Sequence, residues 1–119
     1  MYARLVQATI KPKRLAEFKD AVTSHDLPAI RSLPGFVDDI EMYLENKFVS
    51  ITFWQTEKDA EQYTCELFPQ IAARSAPLVS DTGLRAQVYK IERDTIHEAK
   101  IEAVKKMEST AVRAFAAVA

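Results

Sequence analysis

The chain has 119 residues, 48% apolar and 28% charged, with 16 Lys and Arg against 17 Asp and Glu. This fits one domain with a modest core, and a near-zero net charge excludes binding to a phosphate backbone, which needs a basic stripe. Two glycines exclude a dinucleotide fingerprint or a phosphate-cradling loop, and one cysteine excludes an internal disulfide and a Cys-cluster metal site.

Tyr2 to Ile10 reads as a strand, and Pro12 in Lys11-Pro12-Lys13 suits the first turn of a helix. Leu15, Phe18, Val22, His25 and Ala29 follow at three- and four-residue steps, the stripe of one helix, with Pro28 expected to kink or break it near its end. Leu33-Pro34-Gly35 stops the chain before a strand from Phe36 to Leu44. Lys47 to Trp54 completes a hairpin around Glu45-Asn46, with Val49, Ile51 and Phe53 on one face and Phe48, Ser50, Thr52 and Trp54 on the other. Thr56 with Asp59 resembles a capping box and predicts a helix start. Ala60, Tyr63, Leu67 and Ile71 give that helix an inner stripe, and Pro69 divides it near Leu67 from a second piece ending about Ala76. Asp81-Thr82-Gly83 is a turn, and Leu84 to Ile91 is a fourth strand. Arg93 to Ala119 lacks Gly and Pro and predicts a long C-terminal helix, with a stripe through Ile101, Val104, Met107 and Phe115 suited to packing on a partner subunit.

The order strand, helix, strand, strand, helix, strand predicts an α+β ferredoxin-like βαββαβ unit over residues 1–92, a four-stranded antiparallel sheet with both helices on one face. Both sheet faces carry large apolar side chains, so the face away from the helices is expected to pair with a second copy, giving a homodimer or higher homo-oligomer. The N-terminus lacks a basic leader with a long apolar run, and no stretch reaches the length of a membrane span. With a single unpaired cysteine this predicts a cytoplasmic protein with neither nucleic-acid nor membrane partners.

The stretches Leu27-Pro28-Ala29-Ile30-Arg31-Ser32-Leu33-Pro34-Gly35-Phe36 and Phe53-Trp54-Gln55-Thr56-Glu57-Lys58-Asp59-Ala60 resemble the antibiotic biosynthesis monooxygenase family. The pattern there is a first helix ending in Arg-x-x-Pro-Gly-Phe and a third strand ending in Trp-x-Thr or Trp-x-Ser before acidic-Ala at the second helix. The resemblance spans roughly residues 2–91. It implies a dimeric α/β barrel and a small apolar pocket between each sheet and its helices. It also implies oxidation of polycyclic aromatic phenols and quinols without metal or flavin, the substrate anion itself reacting with dioxygen. The haem-degrading branch uses a strand-one Asn, a helix Trp and a His ten residues later. The corresponding places here hold Gln7, Tyr63 and Ala73, so the axial ligand is missing.

Such chemistry needs a dry cavity, a base near a phenolic proton and donors for developing oxygen charge. His25 is the candidate base, because its ordinary pKa is near neutrality; Tyr63 is the second catalytic candidate. Gln7, Trp54, Phe68, Tyr43 and Arg74 are the substrate-binding candidates, with Trp54 and Phe68 as walls and Arg74 facing an enolate or peroxide anion. Each has a plain structural alternative: a rim histidine, a core tyrosine bonded to a carbonyl, a cross-strand glutamine, an interface tryptophan, a solvated arginine. Cys65 reads as a packing residue, and Asp38, Asp39 and Glu41 as a solvated strand edge. Two functions therefore stay open: a cofactor-independent monooxygenase oxidising an aromatic phenol or quinol, and a non-catalytic homo-oligomeric protein binding a small apolar or aromatic ligand, or serving in stress. Neither requires a metal or other cofactor.

Overall fold

The computed structural model describes residues 1–97 and 106–107. Four strands, β1 (Tyr2–Thr9), β2 (Phe36–Leu44), β3 (Lys47–Trp54) and β4 (Arg85–Lys90), form an antiparallel sheet in the order β2-β3-β1-β4. Helices α1 (Leu15–Ala21), α2 (Leu27–Arg31), α3 (Glu57–Glu66) and α4 (Phe68–Ser75) cover one face. Alternation decides which side chains they meet: Val6 and Ala8 of β1 and Phe48 and Trp54 of β3 point to the helices and are buried. Ile10 continues that face just beyond β1, where it bridges to Val79.

The interruption expected at Pro28 takes the form of a π-helical turn. Between α1 and α2, Val22–Asp26 forms one π-helical turn, and the Leu27 amide bonds back to the Val22 carbonyl, five residues away. A proline ring normally clashes with the carbonyl four residues earlier; widening the preceding turn lets Pro28 sit at the start of α2 and the helix run on to Arg31. The second helical region divides as Pro69 predicts, with Leu67 between α3 and α4. Thr56 caps α3: its side chain accepts from the Asp59 amide at 3.1 Å and its hydroxyl donates to Asp59 Oδ2 at 2.7 Å. Gly35 holds the turn before β2 at φ +80°, and a Cβ there would lie 2.1 Å from Asp59, so the turn needs glycine twice over.

The other sheet face keeps Ile40, Met42, Leu44 and Tyr89 exposed. Phe53 on that face is buried beneath His97, whose ring stacks on it at 4.3 Å. His97 Nδ1 lies 2.6 Å from Asp94 Oδ2 and its Nε2 3.2 Å from Asp38 Oδ2. Most of the helix expected over residues 93–119 lies outside the described residues; 95–97 and 106–107 are helical, and Met107 is exposed. No helix among the described residues is long and apolar enough to cross a membrane.

Candidate functional site

The helices do not seal the sheet completely. Phe18, Val22, Leu27 and Ile30 from the first helical region, Phe48 from β3, and Phe68 and Ile71 from α4 enclose a cavity of about 30 Å³, within a cleft whose empty space to its open mouth is about 380 Å³. Thirty cubic ångströms hold one or two waters, so a ring enters only if side chains move. Phe68 and Leu84, both partly buried, are the lining groups freest to do so.

Four polar side chains face this apolar space: Asp26, Ser50, Tyr63 and Ser75, all buried. Asp26 lies four residues after Val22 on the inner stripe, and the π-helical turn brings Leu27, five residues after Val22, to the same inner side. Its Oδ1 accepts from Arg74 Nη2 at 3.0 Å, and the Arg74 side chain is 52% exposed, so the pair runs from cavity to surface. Burial pushes the Asp26 carboxyl above the usual carboxylate range, with Arg74 and then His25 pulling the other way. Tyr63, on the inner stripe of α3, stacks on Trp54 at 5.3 Å between centroids. Burial pushes its hydroxyl up to about 12, the neighbouring Arg4 guanidinium partly opposing. The phenol therefore stays protonated near neutral pH and serves as a hydrogen-bond donor.

The sequence candidates divide. Tyr63 and Phe68 line the cavity; Trp54 stands directly behind Tyr63, fully buried, its indole donating to Thr52 Oγ1 at 2.9 Å. Arg74 reaches the site through Asp26 rather than lying solvated and alone. Gln7 is exposed on the opposite sheet face, because β1 alternation gives the inner positions to Val6 and Ala8. His25 is exposed on the outer side of the π-helical turn, outside the cavity. Tyr43 packs on Phe48 at 5.1 Å with Lys19 Nζ 4.6 Å from its ring, beyond the cavity wall.

Two sequence readings are corrected. Cys65 is exposed rather than packed, since it follows Tyr63 by two positions and so faces away from the core. Asp39 and Glu41 are not a solvated edge: they share the helix-side face of β2, where the Asp39 side chain is 6% exposed and takes Arg31 Nε at 2.7 Å. Asp26, Ser50, Ser75 and the buried Arg4 escaped the sequence reading. The available signal was polarity on an inward stripe, Asp26 lying four residues after Val22 and Arg4 two before Val6.

At the sequence level no family model and no curated protein matches the chain. Solved structures do match. SnoaB, a cofactor-independent oxygenase from Streptomyces nogalater, superposes with a TM-score of 0.66 at 16% identity, over 80% of this chain and 96% of that one. A candidate antibiotic biosynthesis monooxygenase from Deinococcus radiodurans gives 0.68 at 14% identity, over 79% and 95%. This chain has the antibiotic biosynthesis monooxygenase fold. A further example of that fold, a monooxygenase from the gene ActVA-Orf6 of Streptomyces coelicolor in complex with nanaomycin D, gives 0.63 at 14% identity, over 80% and 90%. The matched share of each neighbour is nearly its whole length, so the antibiotic biosynthesis monooxygenase fold accounts for the βαββαβ unit with little left over.

Proposed function

We propose that the protein is a small cofactor-independent monooxygenase that oxidises an aromatic phenol or quinol with dioxygen, with Asp26 rather than His25 as the base. The observation that carries this reading is one buried carboxylate and one buried phenol facing the same apolar cavity. Asp26 takes the phenolic proton, and its burial raises its basicity toward that task. The resulting phenolate ring carbon forms a C–O bond with dioxygen. Loss of water from the hydroperoxide leaves a quinone, so phenol and dioxygen balance to quinone and water. Tyr63 donates to the oxygen that bears charge, Ser50 and Ser75 orient the ring, and Phe18, Phe48 and Phe68 exclude water. Arg74 holds the Asp26 carboxylate in place.

The exposed row Ile40, Met42 and Leu44 supports a homodimer paired through the open sheet face. The test is dioxygen uptake with a panel of naphthols and naphthohydroquinones, corrected for spontaneous oxidation. Wild type and His25→Ala should consume dioxygen at comparable rates, and Asp26→Asn at about 10²-fold less. If no member of the panel is oxidised faster than by Asp26→Asn, the enzyme reading fails and a binding role takes its place.

A further inference from the structure

Arg4 is 1% exposed, among the most deeply buried side chains of the molecule, yet it carries a charge that cannot be given up at physiological pH. The other arginine ion pairs follow the ordinary rule. Arg14, Arg31 and Arg74 have side chains 47%, 51% and 52% exposed, and each has a carboxylate partner: Glu17, Asp39 and Asp26. Arg4 pairs with no carboxylate among the described residues. Its Nε donates to Thr64 Oγ1 at 2.9 Å, while its Nη1 is buried with no hydrogen-bond partner among the described residues. Its cross-strand neighbours, Thr52 and Val88, are neutral. A buried cation without a counter-charge is among the costlier arrangements a fold can hold.

The position of this cation gives it a purpose. The guanidinium carbon lies 4.5 Å from the Tyr63 ring centroid and 4.0 Å from that of Phe68, and both rings line the cavity. Val6, two residues along the same face of β1, lines it as well. The unmatched charge is therefore one ring thickness from an apolar space with its own polar fittings. Phe68, the ring over the guanidinium at 4.0 Å, is only partly buried and begins α4 just after the Leu67 break, so it is the side chain best able to swing aside.

We infer that Arg4 is the anion-binding end of this cavity, and that the natural ligand is an aromatic anion, a ring bearing a carboxylate or an acidic phenolate, which displaces Phe68 and docks its oxygen on Arg4 Nη1. The aryl part fills the space between Phe18, Phe48 and Tyr63, and the anion supplies the counter-charge that the described residues do not. Burial pulls the Arg4 pKa down, with the neighbouring Tyr63 hydroxyl partly opposing. The inference rests on this cavity being the ligand site, as the oxygenase reading does, but not on oxidation, so dioxygen uptake and anion preference can fail separately.

The experiment is calorimetric titration of the full chain with 2-naphthoate and with neutral 2-naphthamide, which share a ring and differ in charge. Wild type should bind naphthoate about ten-fold or more tightly. Arg4→Met should remove that preference while leaving naphthamide binding intact, and Arg4→Lys should restore part of it. Arg14→Met, at a surface arginine paired with Glu17, should keep the preference. Equal binding of the two probes by wild type, no binding of either up to about 1 mM, or a preference that survives in Arg4→Met each overturns the inference. Because the wild-type measurement can refute it alone, a failure of Arg4→Met to fold does not protect it.

Discussion

Replacing Glu41 with Gln should stabilise the protein at pH 8 and hardly change it at pH 4.5. Glu41 shares the helix-side face of β2 with Asp39, and its Oε1 is buried without a hydrogen-bond partner among the described residues. Burial first, then the adjacent Asp39 carboxylate, pushes its carboxyl from 4.5 up to about 7. The folded state thus holds this proton more tightly than the unfolded chain, so stability is full below pH 4.5 and declines as pH rises toward 7. At about 1.36 kcal/mol per pH unit the ceiling is about 3 kcal/mol, and screening by solvent at this partly open position reduces it to roughly 1–2 kcal/mol. Glutamine resembles the protonated acid and removes the penalty. Thermal unfolding followed by circular dichroism should show a Tm rise of roughly 5–10 °C at pH 8. Asp39 contributes with the opposite sign: its carboxyl is held low chiefly by Arg31, so that stabilisation is lost at more acid pH and does not obscure the comparison. An equal Tm shift at both pH values, or destabilisation at pH 8, would refute the reasoning.

Arg74→Ala should leave Asp26 without its cation, cost roughly 1 kcal/mol at neutral pH by urea unfolding, and cost little once acid protonates the carboxyl. Gly35→Ala combines a left-handed backbone with a Cβ lying 2.1 Å from Asp59, and should lose roughly 2–4 kcal/mol in the same assay. Thr56→Ala removes the α3 cap and should lose about 1 kcal/mol. In sedimentation, wild type should run as a dimer, and Met42→Glu with Leu44→Glu as a monomer; a wild-type species of 13.5 kDa would end the sheet-pairing proposal.

The sequence made the architecture legible because its elements are set by local rules. Pro69, Thr56 with Asp59, Gly35, and the alternating rows of β3 each mark a boundary or a face that tertiary packing did not override. The site was less legible. Tyr63 and Phe68 were found because they lie on an ordinary helical stripe. His25 was favoured on its ordinary pKa, but location counts for more than pKa when one residue is in solvent and its neighbour is in the core. Asp26 and Arg4 were both hidden by the rule that charges lie outside, although Asp26 lies four residues after Val22 and Arg4 two before Val6 on inward-facing positions. Gln7 was a matter of parity along β1, where one position decides the face.

The π-helical turn has a consequence for how the site is inherited and altered. In a regular α-helix each residue advances the next by about 100°, so one residue more or less re-aims everything downstream. Deleting Thr23 would bring Leu27 and Ile30 to the fourth and seventh places after Val22, the spacing of a regular α-helix, and leave Phe18 untouched. The π-helical turn thus carries a surplus residue, and the apolar wall on either side of it keeps its phase whether or not that residue is present. A deletion inside the turn would reset the helix, whereas one more residue there would turn Leu27 and Ile30 about 100° from the sheet.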